Sequence, residues 1–141
     1  MSLQQTDLQD FAERYTAAWC SQNPASVAAF YSPNGSLSIN GSAASVGRTA
    51  VTEAARGFMI MFPDMRVRMD SILTEGERAE YHWTLIGTNS GPGGTGRRVC
   101  ISGFEAWKFG DDSLIAESRG TFDKDEFQRQ LEHGVGETGA R

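Results

Sequence analysis

Two acidic side chains stand at positions where their chemistry could matter. Glu105, in "GFEAWKF", shares its alternation with Val99, Ile101 and Trp107, so its carboxyl falls on the apolar face of a predicted strand. An unpaired carboxylate there is costly and tends to take up a proton. Such a carboxyl can donate a hydrogen bond or carry a proton in a reaction. The ordinary alternative is an ion pair, for example with Arg119 on the neighbouring strand, or a place near a frayed edge. Asp123, in "TFDKDEF", closes the last predicted strand. It reads as the N-cap of a following helix, a role that suits Asp, or as a general acid/base at the mouth of a pocket. Spacing alone favours the cap. Tyr15 lies on the apolar stripe of the first predicted helix, where a tyrosine is ordinarily a core residue with its hydroxyl bonded.

The stretch "GTNSGPGGTGRR", residues 87–98, offers a different chemistry: glycines followed by positive charge can cradle a phosphate. A phosphate loop needs a helix N-terminus after it. Here "RRVCISGFEAW" follows, with the alternating, β-branched and aromatic pattern of a strand. There is no Gly-Lys-Ser/Thr ending. The stretch is therefore read as the connection of a hairpin. Arg97 and Arg98 belong on a strand rim.

Composition narrows the partners. The chain has 141 residues, 39% hydrophobic and 22% charged, with 18 acids against 13 bases and a net charge of −5. That length fits one domain with a real core and room for a small pocket. The acidic balance and the scattered arginines argue against nucleic acid, which requires a basic face. No apolar run approaches a membrane span, and "MSLQQTDLQD" lacks the pattern of a secretory signal. Cys20 and Cys100 read as reduced thiols of a cytoplasmic protein. With only His82 and His133 besides, no spacing suggests a metal site, and no cofactor is expected.

These residues must be positioned by periodic elements. Leu8, Phe11, Ala12, Tyr15 and Trp19 recur at helical spacing over residues 7–21, after a capping box at Thr6–Gln9. Asn23-Pro24 starts a short second helix, and Ser32–Gly35 reads as a turn. Residues 36–40 form a short strand, and "GSAASVG" a loop. A third helix spans 49–62, with Val51, Ala55, Phe58 and Phe62 on one stripe, stopped by Pro63. The period then changes to two. Met65, Val67 and Met69 alternate; Tyr81, Trp83 and Leu85 alternate; Val99, Ile101 and Trp107 follow; and a last strand covers 114–122. A final helix runs from Asp123 to Glu132, and "GVGETGAR" reads as a frayed tail. The order is α-α-β-α-β-β-β-β-α, an α+β architecture with an antiparallel sheet covered by helices. His82 falls on the outward parity, and His133 suits a helix C-terminus.

The segments "ERYTAAW", "FYSPNGSL", "YHWTLIGTNSGPGGTG", "GFEAWKFGDDSLIAES" and "TFDKDEFQRQL", in this order, resemble the nuclear-transport-factor-2-like superfamily, and within it the SnoaL-like polyketide cyclases. The resemblance covers about residues 5–133. It implies a cone: a strongly curved antiparallel sheet wrapped around three helices, with a pocket at one end and homodimers joined through the sheet. It also implies that Asp123, in its "D-K-x-x-x-x-x-Q" context, is the acid/base of a metal-free aldol closure. Asn89 stands where related cyclases carry a histidine; it can donate a hydrogen bond but cannot titrate. A second comparison, with ketosteroid isomerase, matches Tyr15 to a hydrogen-bonding tyrosine and Glu105 to a protonated acid that donates to an oxyanion. That enzyme's base comes from the early strand, where this chain offers only Ser38 and Asn40, so isomerisation by that route is not expected.

Two functions follow as expectations. One is a cyclase-type enzyme with Asp123 as acid/base and Glu105, Tyr15 and Asn89 as polar pocket groups. Its substrate would be a small apolar or aromatic carbonyl compound held by Trp19, Phe58, Trp83, Trp107 and Arg119. The other is a non-catalytic ligand-binding or dimerisation module of the same fold.

Overall fold

In the computed structural model, which describes residues 5–76 and 78–135, the apolar stripes read from the sequence meet in one core. The chain runs through α1 (Gln5–Cys20), α2 (Pro24–Ala28), β1 (Tyr31–Ile39), β2 (Ser45–Val46), α3 (Arg48–Met61), β3 (Arg66–Glu75), β4 (Arg78–Thr88), β5 (Arg98–Phe109), β6 (Ile115–Phe122) and α4 (Lys124–His133). On α1 the buried residues are Leu8, Phe11, Ala12, Tyr15, Ala18 and Trp19, the spacing of a helix with one face on a core. On α3 they are Val51, Ala55 and Met59.

The six strands form one sheet in the order β2-β1-β6-β5-β4-β3. From β3 to β6 neighbours are antiparallel, as short turns between alternating segments predict. The seam between β1 and β6 is parallel instead. The reason is connectivity: a parallel pair needs a long crossover, and here α3 and four strands intervene before β6 returns beside β1.

Two other local expectations change. The Ser32–Gly35 turn lies within β1, where the register against β6 shifts between Tyr31 and Ser36. Turn chemistry has become a bulge, one of the few places a strand accepts a proline such as Pro33. The segment taken as a loop contains β2, with Ser36 facing Val46 and Leu37 facing Ser45. At the chain start, α1 already includes Thr6, whose side chain, and with it the capping box, lies outside the described residues. Residues 136–141 of the expected tail also lie outside them.

The glycine-rich stretch joins β4 to β5, and Thr88 faces Arg98 at its base. It is a hairpin connection. Asn89 organises it: its N–H donates to the Arg97 carbonyl at 2.8 Å, its own carbonyl accepts from Gly96 at 2.7 Å, and its Oδ1 accepts from the Thr95 N–H at 2.9 Å.

Aromatic side chains fill the centre. Tyr81 stacks on Trp107 with ring centres 4.9 Å apart and planes 11° apart. Tyr15 meets both rings edge-on, an arrangement aromatic quadrupoles favour.

Candidate functional site: an apolar cavity with a buried carboxyl

A cavity opens between the sheet and three helices. Trp19 of α1, Phe58 of α3 and Phe127 of α4 line its helical side. Its sheet side takes alternate residues: Tyr81, Trp83 and Leu85 from β4, Ile101 and Glu105 from β5, Gly120 and Phe122 from β6. Strand periodicity explains this, since residues two apart share a face.

Among the described residues Glu105 is the one carboxylic acid of the lining, 7% exposed. Three donors converge on a single oxygen. Its Oε1 accepts from the Tyr15 hydroxyl at 2.9 Å, from Trp107 Nε1 at 2.8 Å and from Ser118 Oγ at 2.8 Å. Because the Tyr15 proton is used on Glu105, the Tyr31 hydroxyl 2.9 Å away must donate to Tyr15. None of the described residues bonds Oε2. With Oε1 saturated, Oε2 is the atom that carries the proton whenever the carboxyl is neutral. On β6 the cross-strand partner of Glu105 is Gly120, which has no side chain to cover the carboxyl; on β4 it is Tyr81.

Burial pushes the Glu105 carboxyl above its usual range, and the bonds from Trp107, Ser118 and Tyr15 only partly oppose this. The Tyr15 hydroxyl is likewise raised well above its usual range, first by burial and then by Glu105. The Trp19 N–H, near the Tyr15 hydroxyl but outside hydrogen-bond geometry, opposes this shift.

The shift has a testable sign. Folding favours the neutral form of Glu105. Its contribution to stability is therefore complete below the ordinary glutamate value of 4.5 and is lost as pH rises through the raised folded value. Glu126 behaves oppositely: Arg129 lowers it to about 2, so its contribution is lost in acid, in a separate window. Thermal melts from about pH 4 to about pH 9 are expected to show wild type losing stability relative to Glu105→Gln as pH rises. A constant difference between the two proteins would show that Glu105 does not titrate in that range.

The residues singled out from sequence fall into two groups. Glu105, Trp19, Phe58 and Trp83 line the cavity, with Tyr15 and Trp107 directly behind Glu105. Arg119 and Asp123 are not brought to the cavity. Arg119 is exposed and pairs with Glu117 at 3.1 Å, so the ion pair considered for Glu105 does not form. Asp123 is exposed, and its Oδ1 caps α4 by accepting from the Glu126 N–H at 3.0 Å. Asn89 is buried in its own loop rather than in the lining.

Ser118, Tyr31 and Gly120 were missed by sequence reasoning. Their signal was present in part: Ser118 and Gly120 alternate with outward residues on the last strand, so a serine on the inward parity was legible. What was not legible is that Ser118 faces Trp107 across the strands.

Among the described residues no group of three or more His, Cys, Asp or Glu could hold a metal ion. No helix among them is long and apolar enough to cross a membrane.

This combination of a curved sheet, helices on its inner face and a pocket defines the cone fold of nuclear-transport-factor-2-like proteins. The sequence matches the SnoaL-like polyketide cyclase family over residues 9–131, and the chain belongs to that family. No curated protein matches it. TsrD from Streptomyces laurentii is similar in structure, with a TM-score of 0.79 and 22% identity over 92% of this chain and 98% of that one. A protein from Jannaschia sp. CCS1, assigned as a SnoaL-like polyketide cyclase, has a TM-score of 0.73 and 15% identity over 89% and 94%. A protein of ketosteroid isomerase-like fold from Catenulispora acidiphila, solved with trimethylamine, has a TM-score of 0.76 and 13% identity over 86% and 92%.

Proposed function

We propose that the cavity binds a small, ring-bearing carbonyl compound and that Glu105 exchanges a proton with it, as in a metal-free cyclase or isomerase. One observation carries this reading: a buried carboxyl is anchored through one oxygen by three donors while the other oxygen is left free in an apolar lining. A carboxyl raised toward neutrality can act as base when ionised and as acid once protonated. The ionised form would take a proton from the carbon next to the carbonyl. The protonated form would return it at the product position, so one group serves both steps.

This gives the acid/base role to Glu105 rather than to Asp123, the role implied by family resemblance. The two are separable by following deuterium exchange at the acidic carbon of a cyclic β-keto ester by NMR. Under the present reading Glu105→Gln abolishes protein-dependent exchange, and Asp123→Asn keeps it within about twofold of wild type. The reverse pattern would return the role to Asp123.

A second reading is a binding protein without turnover. It is supported by the lining itself, where, among the described residues, Glu105 and Tyr81 are the only titratable groups and no second carboxyl or imidazole accompanies Glu105. Ligand binding with no exchange above background in the wild type would select it.

A further inference from the structure

Among the described residues, two buried side-chain polar atoms lack a hydrogen-bond partner: Trp19 Nε1 and Trp83 Nε1. Both indoles line the cavity, one from α1 and the other from β4. The third indole N–H of the chain, on Trp107, is satisfied by Glu105 at 2.8 Å. An indole N–H can only donate, and buried donors left unpaired are rare enough to need a reason. Folding has here kept two of them in the wall of one cavity.

The rest of the lining sharpens what they ask for. Among the described residues it contains no Lys, Arg or His and no amide side chain. The Tyr81 hydroxyl is engaged with Thr16. The polar atoms of the described lining left without a partner are therefore the two indole N–H groups, closed off from solvent in this structure, and Glu105 Oε2. An anionic ligand would find no countercharge. A hydrocarbon would leave both indoles unpaired.

We propose that Trp19 and Trp83 are specificity-determining donors that read acceptor oxygens on the ligand, so the cavity selects uncharged rings bearing carbonyl or ether oxygens over hydrocarbons and amines of the same size. This rests on the ligand-binding reading above and adds to it which residues recognise the oxygen. The competing chemistry is an alkylammonium held by the aromatic rings with Glu105 ionised beside it. Trimethylamine accompanies one structural relative, so it belongs in the test.

The probes are α-tetralone, tetralin and trimethylamine. Tetralone and tetralin share a skeleton and differ by the carbonyl. Binding is followed by titration calorimetry and by the three indole N–H resonances in protein carrying 15N-tryptophan, assigned with single Trp→Phe variants. Tetralone is expected to shift one or both of the Trp19 and Trp83 signals more than that of Trp107, and to bind roughly tenfold more tightly than tetralin. Trp83→Phe or Trp19→Phe should weaken tetralone binding by a larger factor than tetralin binding, so that the preference falls. Gly120→Leu, which places a side chain against Glu105, should abolish binding of both and so locate them in the cavity. Either phenylalanine variant supplies the comparison should the other fail to fold.

Equal affinity for tetralone and tetralin, or a preference for trimethylamine that Glu105→Gln removes, would overturn the donor assignment while leaving a binding cavity. No binding of any of the three probes would overturn the cavity reading itself and this assignment with it.

Discussion

Replacing Glu105 with alanine is expected to cost at least about 4 kcal/mol of stability, because three buried donors lose one shared acceptor and a void opens behind them. Tyr15 and Ser118 are 0% exposed and Trp107 is 1% exposed, so solvent does not readily replace the carboxyl. A loss of that size is a large share of the roughly 5–15 kcal/mol that holds an ordinary domain together. Glu105→Gln should behave very differently. Its Oε1 can accept the same three bonds and its Nε2 takes the place of Oε2, so a change within about 1 kcal/mol is expected. Urea unfolding of the two variants measures both. An alanine variant as stable as the glutamine variant would mean that the carboxyl does not anchor this cluster.

The second large effect is expected at Gly103, the residue of β5 directly across from both Trp83 and Phe122. A Cβ built there would lie 2.4 Å from the Thr121 carbonyl oxygen, 2.8 Å from Cζ2 of Trp83 and 2.9 Å from Cβ of Phe122. The nearest atom is backbone, which cannot swing aside, so Gly103→Ala should destabilise the protein by about 3 kcal/mol. It should also displace the Trp83 ring, changing tryptophan fluorescence and ligand affinity together. Gly120 supplies the contrast. A Cβ there would meet its nearest atoms at 3.5, 3.8 and 3.9 Å, ordinary contact distances, so Gly120→Ala should cost less than about 1 kcal/mol. Equal losses at the two sites would refute the steric argument.

Periodicity made much of this site readable in advance. Glu105 is separated from Trp107 by one residue, so an alternating strand had to place both on one face, and the structure joins them by a hydrogen bond. Cross-strand register was not readable, because it depends on the turn after β5 and the irregularity at Phe109. For that reason Arg119 looked available to Glu105. The actual register sets Gly120 opposite Glu105 and Arg119 opposite Ala106, which sends the guanidinium to the other side of the sheet. Asp123 illustrates a different limit. Its capping role was visible in local spacing, but whether the carboxyl reached a pocket depended on how α4 leaves the strand. The unpaired indoles of Trp19 and Trp83 left no trace in spacing at all, since satisfaction of a donor is decided by packing between elements.

The parallel seam between β1 and β6 also governs how this protein acquires its cavity in time. Leu37 faces Ser118 and Ile39 faces Gly120 across that seam, and Leu37, Ile39, Gly120 and Phe122 are all wall residues. Contacts between such distant parts of the chain carry the largest entropy of loop closure and are slow to form. The antiparallel strands from β3 to β6, joined by short connections, can pair without β1. Loop-closure entropy thus predicts that this part of the wall is completed last, and a chain that has not formed the seam leaves Phe122 on an unpaired edge of β6. A ligand seated in the cavity would accordingly retard unfolding more than it hastens folding.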